Sequence, residues 1–104
     1  LNKALVYLKD AILINQDSHE AYMGIGHIYR LRELYEEAQE YYKKAIDCNK
    51  YSSSAYNYLG DVFYKTKRYK KAIKAWERAL SYDPGRMLIK KNIEKLKKMI
   101  DKRS

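Results

Sequence analysis

The sequence predicts an all-α fold, a solenoid of about six helices arranged in antiparallel pairs. Ala, Leu, Lys, Glu, Ile and Tyr recur at spacings of three and four along nearly the whole chain, with no alternating strand pattern of useful length. Only 4 Gly and 1 Pro interrupt 104 residues. A gapless internal repeat of 34 residues then organises the helices into equivalent pairs.

The first helix is expected at 2–15, with Leu5, Leu8, Ala11 and Ile12 on one face. A second, at 19–32, follows Asp17, which with Glu20 three residues later resembles a capping box. The third, at 35–49, begins among Glu33, Glu36, Glu37 and Glu40, whose negative charge suits a helix N-terminus; calcium binding is a lesser alternative. Ser52 to Ser54 offer an N-cap for a fourth helix at 53–66, and Asp83-Pro84-Gly85 ends a fifth at 69–82. The sixth, at 86–102, carries Leu88, Ile89, Ile93, Leu96 and Ile100 on one face and lysines elsewhere. Short connections make neighbouring helices antiparallel.

Residues 19–52 written above 53–86 align Ala21 with Ala55, Tyr22 with Tyr56, Ile25 with Leu59, Gly26 with Gly60 and Tyr29 with Phe63. The second half agrees equally well: Tyr35 meets Tyr69, Ala38 meets Ala72, Tyr42 meets Trp76, Ala45 meets Ala79 and Ile46 meets Leu80. The same period places Ala4 under Ala38 and Ala11 under Ala45, so the chain starts inside a repeat. In this pattern Tyr56, Leu59-Gly60, Phe63, Ala72, Trp76 and Pro84 resemble the tetratricopeptide repeat (TPR) family, with Tyr22, Ile25-Gly26, Tyr29, Ala38 and Tyr42 in the same roles one unit earlier. Lys50 departs from the pattern where Pro is expected, and Glu94 stands where a further repeat would have Gly.

The resemblance implies a right-handed α-solenoid, in which Gly26 facing Ala38 and Gly60 facing Ala72 let paired helices approach closely. It divides the single domain 1–104 into 1–18 (second helix of a truncated repeat), 19–52 and 53–86 (full repeats) and 87–104 (C-terminal capping helix). The chain is expected to be part of a longer protein, and the outer face of its first helix is a candidate for self-association.

Composition narrows the function. At this length one domain buries roughly 65% of the surface its unfolded chain would expose, enough for a core without staples. The single cysteine excludes an internal disulfide, and no Cys/His cluster suits zinc. Apolar runs stop at about four residues, far short of the ~20 needed to span a bilayer. No basic n-region followed by an apolar h-region opens the chain, and a cytoplasmic location is expected. The net charge of +9 is lopsided: residues 1–52 carry 7 basic and 8 acidic side chains, residues 53–104 carry 15 and 5. Nucleic-acid or other polyanion binding through Lys65, Lys67, Arg68, Lys70, Lys71, Lys74 and Lys90 to Lys98 is therefore an alternative function.

No enzyme, cofactor or metal site is expected. Gly24-Ile25-Gly26 lies inside a helix, without the strand and third Gly of a dinucleotide fingerprint. Cys48 matches Tyr82 and Ile14 in the repeat and is expected to be buried and inert, while His19 and His27 lack a carboxylate or Cys partner. Most of the 12 tyrosines fall at packing positions. The family resemblance implies recognition of a peptide or protein segment in a concave groove lined by the first helix of each pair. The expected contacts are Met23, His27, Arg30, Asn57, Asp61, Tyr64, Lys91 and Lys95, flanked by Glu20, Leu31, Ser54, Lys65 and Lys98. Lys91 and Lys95, one turn apart, would grip a carboxylate of an acidic or amphipathic ligand. Met23, His27 and Asp61 depart from the Lys/Asn clamp with which some family members hold chaperone C-termini, so that ligand is not expected.

Overall fold

In a computed structural model, residues 2–14 and 18–103 are described, with side chains for 2–10 and 18–102. Six helices follow one another: α1 Asn2–Ile14, α2 His19–Leu31, α3 Tyr35–Cys48, α4 Ser53–Lys65, α5 Tyr69–Tyr82 and α6 Met87–Arg103. They form two compact units, Leu1–Tyr51 and Ser52–Ser104. In the first, α2 packs on α1 and α3; in the second, α5 packs on α4 and α6.

Two helix starts carry a serine cap. Ser18 and Ser52, both extended, accept the backbone N–H of Ala21 and Ala55 through their hydroxyls at 3.1 and 3.2 Å. The cap of α2 is thus Ser18, whereas the expected Asp17 lies outside the described residues. At the turns between paired helices, Glu33 and Lys67 take φ of 61° and 64°. Leu34 N–H reaches Tyr29 O at 2.9 Å and Glu33 N–H reaches Arg30 O at 3.0 Å; Arg68 and Lys67 repeat both bonds onto Phe63 and Tyr64. These are Schellman closures with a charged residue where glycine is usual.

A second device recurs at the same period. His19 Nδ1 donates to the carbonyl of Ala45 at 2.9 Å, and Ser53 Oγ donates to the carbonyl of Ala79 at 2.8 Å. Each ties the start of one helix to the last turn of its partner, where carbonyls need donors.

The repeat positions form the core. Ala21, Ile25, Ala38, Tyr42 and Ala45 are buried in the first unit, and Ala55, Leu59, Phe63, Ala72, Trp76 and Ala79 in the second. Gly26 and Gly60 each lie against an aromatic ring. A Cβ on Gly26 would lie 2.7 Å from Cε1 of Tyr42, and one on Gly60 would press into Cδ1 and Nε1 of Trp76. The missing side chain makes room for the ring, and Trp76 Nε1 completes the fit by donating to Asn57 O at 3.2 Å. Gly24 serves α1, where Leu8 Cδ1 fills the place of a side chain at 2.8 Å.

Three expectations need correction. Cys48 is half-buried rather than enclosed. Leu88 is 72% exposed, because α6 turns Ile89, Ile93 and Leu96 inward. On α1, Leu8 is taken up by Gly24, while Val6 and Tyr7 stand out at 60% and 75% exposure; the side chains of Ala11 and Ile12 lie outside the described residues.

Candidate functional site

The second unit has a recess built by three helices. One cavity of about 340 Å³ is lined by Asp61 and Tyr64 of α4, Trp76 of α5, and Asn92, Lys95, Leu96 and Met99 of α6. A second, of about 310 Å³, shares Asp61 and Asn92 and extends past Asn57 to Arg86, Met87, Leu88 and Ile89. Asn57, Asp61 and Tyr64 lie at i, i+4 and i+7 on α4, and Asn92, Lys95 and Met99 at i, i+3 and i+7 on α6, so each set shares one face of its helix.

The floor is apolar. Trp76 and Leu96 are 3% exposed each, and Tyr64, 42% exposed, stands beside Trp76 with ring centroids 6.0 Å apart and beside Tyr69 at 5.8 Å. The rim is polar, and Lys95 has no ion-pair partner among the described residues. Arg86 is held in place, with its Nε 3.1 Å from Asp83 Oδ2 and Nη2 donating to Ser54 Oγ at 2.8 Å. On the far flank of α6, Lys97 meets Glu77 of α5 at 3.7 Å.

In the first unit the corresponding side chains are engaged in packing. Arg30 Nε donates to the hydroxyl of Tyr42 at 3.0 Å, and that oxygen is 2.7 Å from His27 Nδ1. The Tyr42 hydroxyl thus accepts from the Arg30 guanidinium and is hydrogen-bonded to the His27 ring. Burial, and secondarily the charge of Arg30, holds the His27 pKa below the usual histidine value. Tyr42 is fully buried, and its hydroxyl is satisfied by these neighbours.

The tetratricopeptide repeat profile matches residues 19–50 and again residues 53–86, together more than half of the chain. The chain belongs to the tetratricopeptide repeat family. None of the curated proteins compared with it matches significantly. Among solved structures, a crystal structure of MamA is 27% identical with a TM-score of 0.91, over 96% of this chain and 58% of that one. The chain therefore spans less than two thirds of that protein's length. The TPR domain of Arabidopsis OM64 is 25% identical with a TM-score of 0.86, over 93% of this chain and 80% of that one. The first TPR of Spaghetti (RPAP3), solved with the HSP90 peptide SRMEEVD, has a TM-score of 0.90 at 15% identity, over 96% of this chain and 79% of that one. The all-α TPR solenoid read from the repeat is thus the fold of the chain.

Within the TPR register, positions 34 apart diverge in chemistry. His27, Arg30 and Tyr42 of the first repeat become Asp61, Tyr64 and Trp76 in the second. The first trio closes on itself through hydrogen bonds, while the second lines open space. Of the eight expected contacts, Asn57, Asp61, Tyr64 and Lys95 line the recess. Met23 is buried at 9% exposure and offers little surface; His27 and Arg30 hold Tyr42. Lys91 is exposed but lies outside both cavities.

The reason for the last point is rotational. Ile89, Ile93 and Leu96 set the inward face of α6, and at about 100° per residue Lys91 and Lys98 fall nearly opposite to it, while Asn92, Lys95 and Met99 fall to one side. Asn92 and Met99 were therefore missed although the spacing of the buried residues contains the signal. Among the described residues there is no cluster of His, Cys, Asp and Glu able to hold a metal, and no helix long and apolar enough to cross a membrane.

Proposed function

We propose that the chain is a non-enzymatic, cytoplasmic protein-interaction module, a scaffold or adaptor part, whose second TPR unit binds a segment of a partner protein. The observation that carries this reading is the recess with an apolar floor of Trp76, Leu96 and Met99 and a polar rim of Asp61, Asn92 and Lys95. A few hundred Å³ of concave, mostly apolar space with convergent polar groups is what a bound side chain needs. The ligand that fits is an amphipathic segment, with an apolar side chain seated against Trp76 and Tyr64 and an acidic group drawn to Lys95. Asn57 and Asn92 can each donate to and accept from an extended peptide backbone. Peptide binding by a TPR neighbour of known structure supports this class of ligand. The expected clamp of Lys91 with Lys95 narrows in this proposal to Lys95.

The test is selection of 12-residue peptides from a random display library, followed by calorimetric titration. The selected peptides are expected to combine aliphatic or aromatic residues with Asp or Glu, and Lys95→Glu and Tyr64→Ala are each expected to weaken binding about tenfold or more, whereas Lys91→Glu changes it less than about twofold. Peptides whose affinity is unchanged by both Lys95→Glu and Tyr64→Ala would show that the recess is not the site.

A further inference from the structure

The outward side of α5 carries a strip of lysines that the peptide reading does not use. Lys70, Lys71 and Lys74 stand on the side of the helix turned away from buried Trp76, and Lys67 precedes them in the turn that enters it. All four are exposed, and none joins an ion pair among the described residues. Lys71 Nζ lies 5.9 Å from the centroid of the Phe63 ring, within cation–π range. The one acidic residue of α5, Glu77, already meets Lys97 at 3.7 Å.

The strip works against its own helix. Cations in a first turn oppose the macrodipole, and like charges three or four residues apart repel. No acidic residue stands in the first turn of α5, whereas α3 has Glu36 and Glu37 there. The 34-residue period completes the contrast: Glu33, Glu36, Glu37 and Glu40 stand where the second repeat has Lys67, Lys70, Lys71 and Lys74. Those glutamates are exposed as well, so the repeat leaves this side open in both units and packing does not select the sign of the charge. Four lysines where the fold accepts carboxylates, and the helix start prefers them, break a local rule in the way a functional surface does.

The composition of the strip selects the partner. A protein interface gathers aromatic and aliphatic side chains at its centre and is depleted in lysine. A membrane-surface helix turns an apolar face to lipid, and the apolar face of α5, Ala72, Ala75, Trp76 and Ala79, is buried. A strip of lysines alone suits a phosphodiester backbone, which lysine binds as a point charge with release of counterions. The surrounding field agrees, since residues 53–104 carry 15 basic and 5 acidic side chains. We propose that Lys67, Lys70, Lys71 and Lys74 bind the phosphate backbone of nucleic acid without reading its sequence.

Fluorescence anisotropy with labelled duplexes of DNA and of RNA, each about 20 base pairs, tests it. In 50 mM NaCl the wild-type chain is expected to bind with a Kd of about 50 µM or tighter. Four neutralised phosphates give a slope of about −3.6 in log affinity against log salt for DNA, a loss of about 150-fold on going to 200 mM. Both duplexes present the same backbone chemistry, and tighter binding to one names the source. The variant Lys67→Glu/Lys70→Glu/Lys71→Glu/Lys74→Glu takes the residues of the first repeat, is expected to melt no lower than wild type, and loses about 100-fold or more in affinity. Lys90→Glu/Lys91→Glu/Lys98→Glu/Lys102→Glu changes the net charge equally and is expected to lose about tenfold or less, with circular dichroism confirming that α6 is retained. A Kd above about 50 µM for both duplexes in 50 mM salt overturns the proposal. So do equal losses in the two variants, which would make net charge rather than the strip the cause. Polyglutamate bound as tightly as either duplex would assign the strip to an acidic protein and overturn it too.

Discussion

Gly60→Ala is expected to destabilise the second unit by about 2 kcal/mol, while Gly24→Ala is neutral or slightly stabilising. A Cβ at position 60 would press into Cδ1 and Nε1 of Trp76 and lie 3.0 Å from its Cγ. The indole is rigid, 3% exposed, and tethered by its bond to Asn57 O, so it cannot turn aside without losing that partner. Overpacking costs about 1–3 kcal/mol and a weakened buried hydrogen bond about 1 kcal/mol more, against a gain of about 1 kcal/mol for Ala over Gly in a helix. At Gly24 the nearest atom is a terminal methyl of Leu8, 2.8 Å away at the end of a flexible side chain, and there the helix-propensity gain offsets the cost. Urea titration followed by the fluorescence of the single tryptophan reads the second unit directly. The expected result is a lower midpoint for Gly60→Ala at an unchanged m, and a thermal midpoint down by about 8–16 °C. An unchanged midpoint, or an equal loss in Gly24→Ala, would refute the claim that glycine at position 60 makes room for the ring.

Other perturbations follow from the local geometry. Glu33→Gly and Lys67→Gly relieve left-handed backbone and should each raise stability by about 0.5–1 kcal/mol in chemical denaturation. Ser18→Ala and Ser52→Ala remove the capping hydroxyls and should each cost about 1 kcal/mol by the same measurement. Because the folded His27 pKa lies below its unfolded value near 6.5, the neutral ring favours the fold, so His27's contribution is present above that pH and is lost as pH falls below it; a denaturation series from pH 8 to 5 should show a loss that His27→Gln flattens.

Much of the architecture was legible because the repeat supplies two independent readings of each position. Five of the six helices begin at the expected residue and their ends agree within about one residue, since Ser52 and Asp83-Pro84-Gly85 are local signals that need no tertiary context. Pairing was legible too, but the close approach of the Tyr42 ring to Gly26 was not, because it depends on the ring's position between two helices. The recess was legible on α4, where a repeat fixes the face of Asn57, Asp61 and Tyr64. On α6, which has no repeat to align with, a rotation of roughly 100° separates Lys91 from Asn92, and charge pointed to Lys91 while Asn92 lines the cavity. The tie of His27 and Arg30 to the Tyr42 hydroxyl was not legible for a related reason, because it depends on reach between helices rather than spacing within one.

The central claim is that the recess of the second unit receives a partner segment, and backbone amide chemical-shift mapping of the ¹⁵N-labelled chain with a peptide from the display selection tests it most directly. The account predicts saturable shifts concentrated at Asn57, Asp61, Tyr64, Asn92, Lys95 and Met99 together with the Trp76 indole N–H. Saturable shifts confined to other surfaces, with the Trp76 indole resonance unmoved, would contradict it.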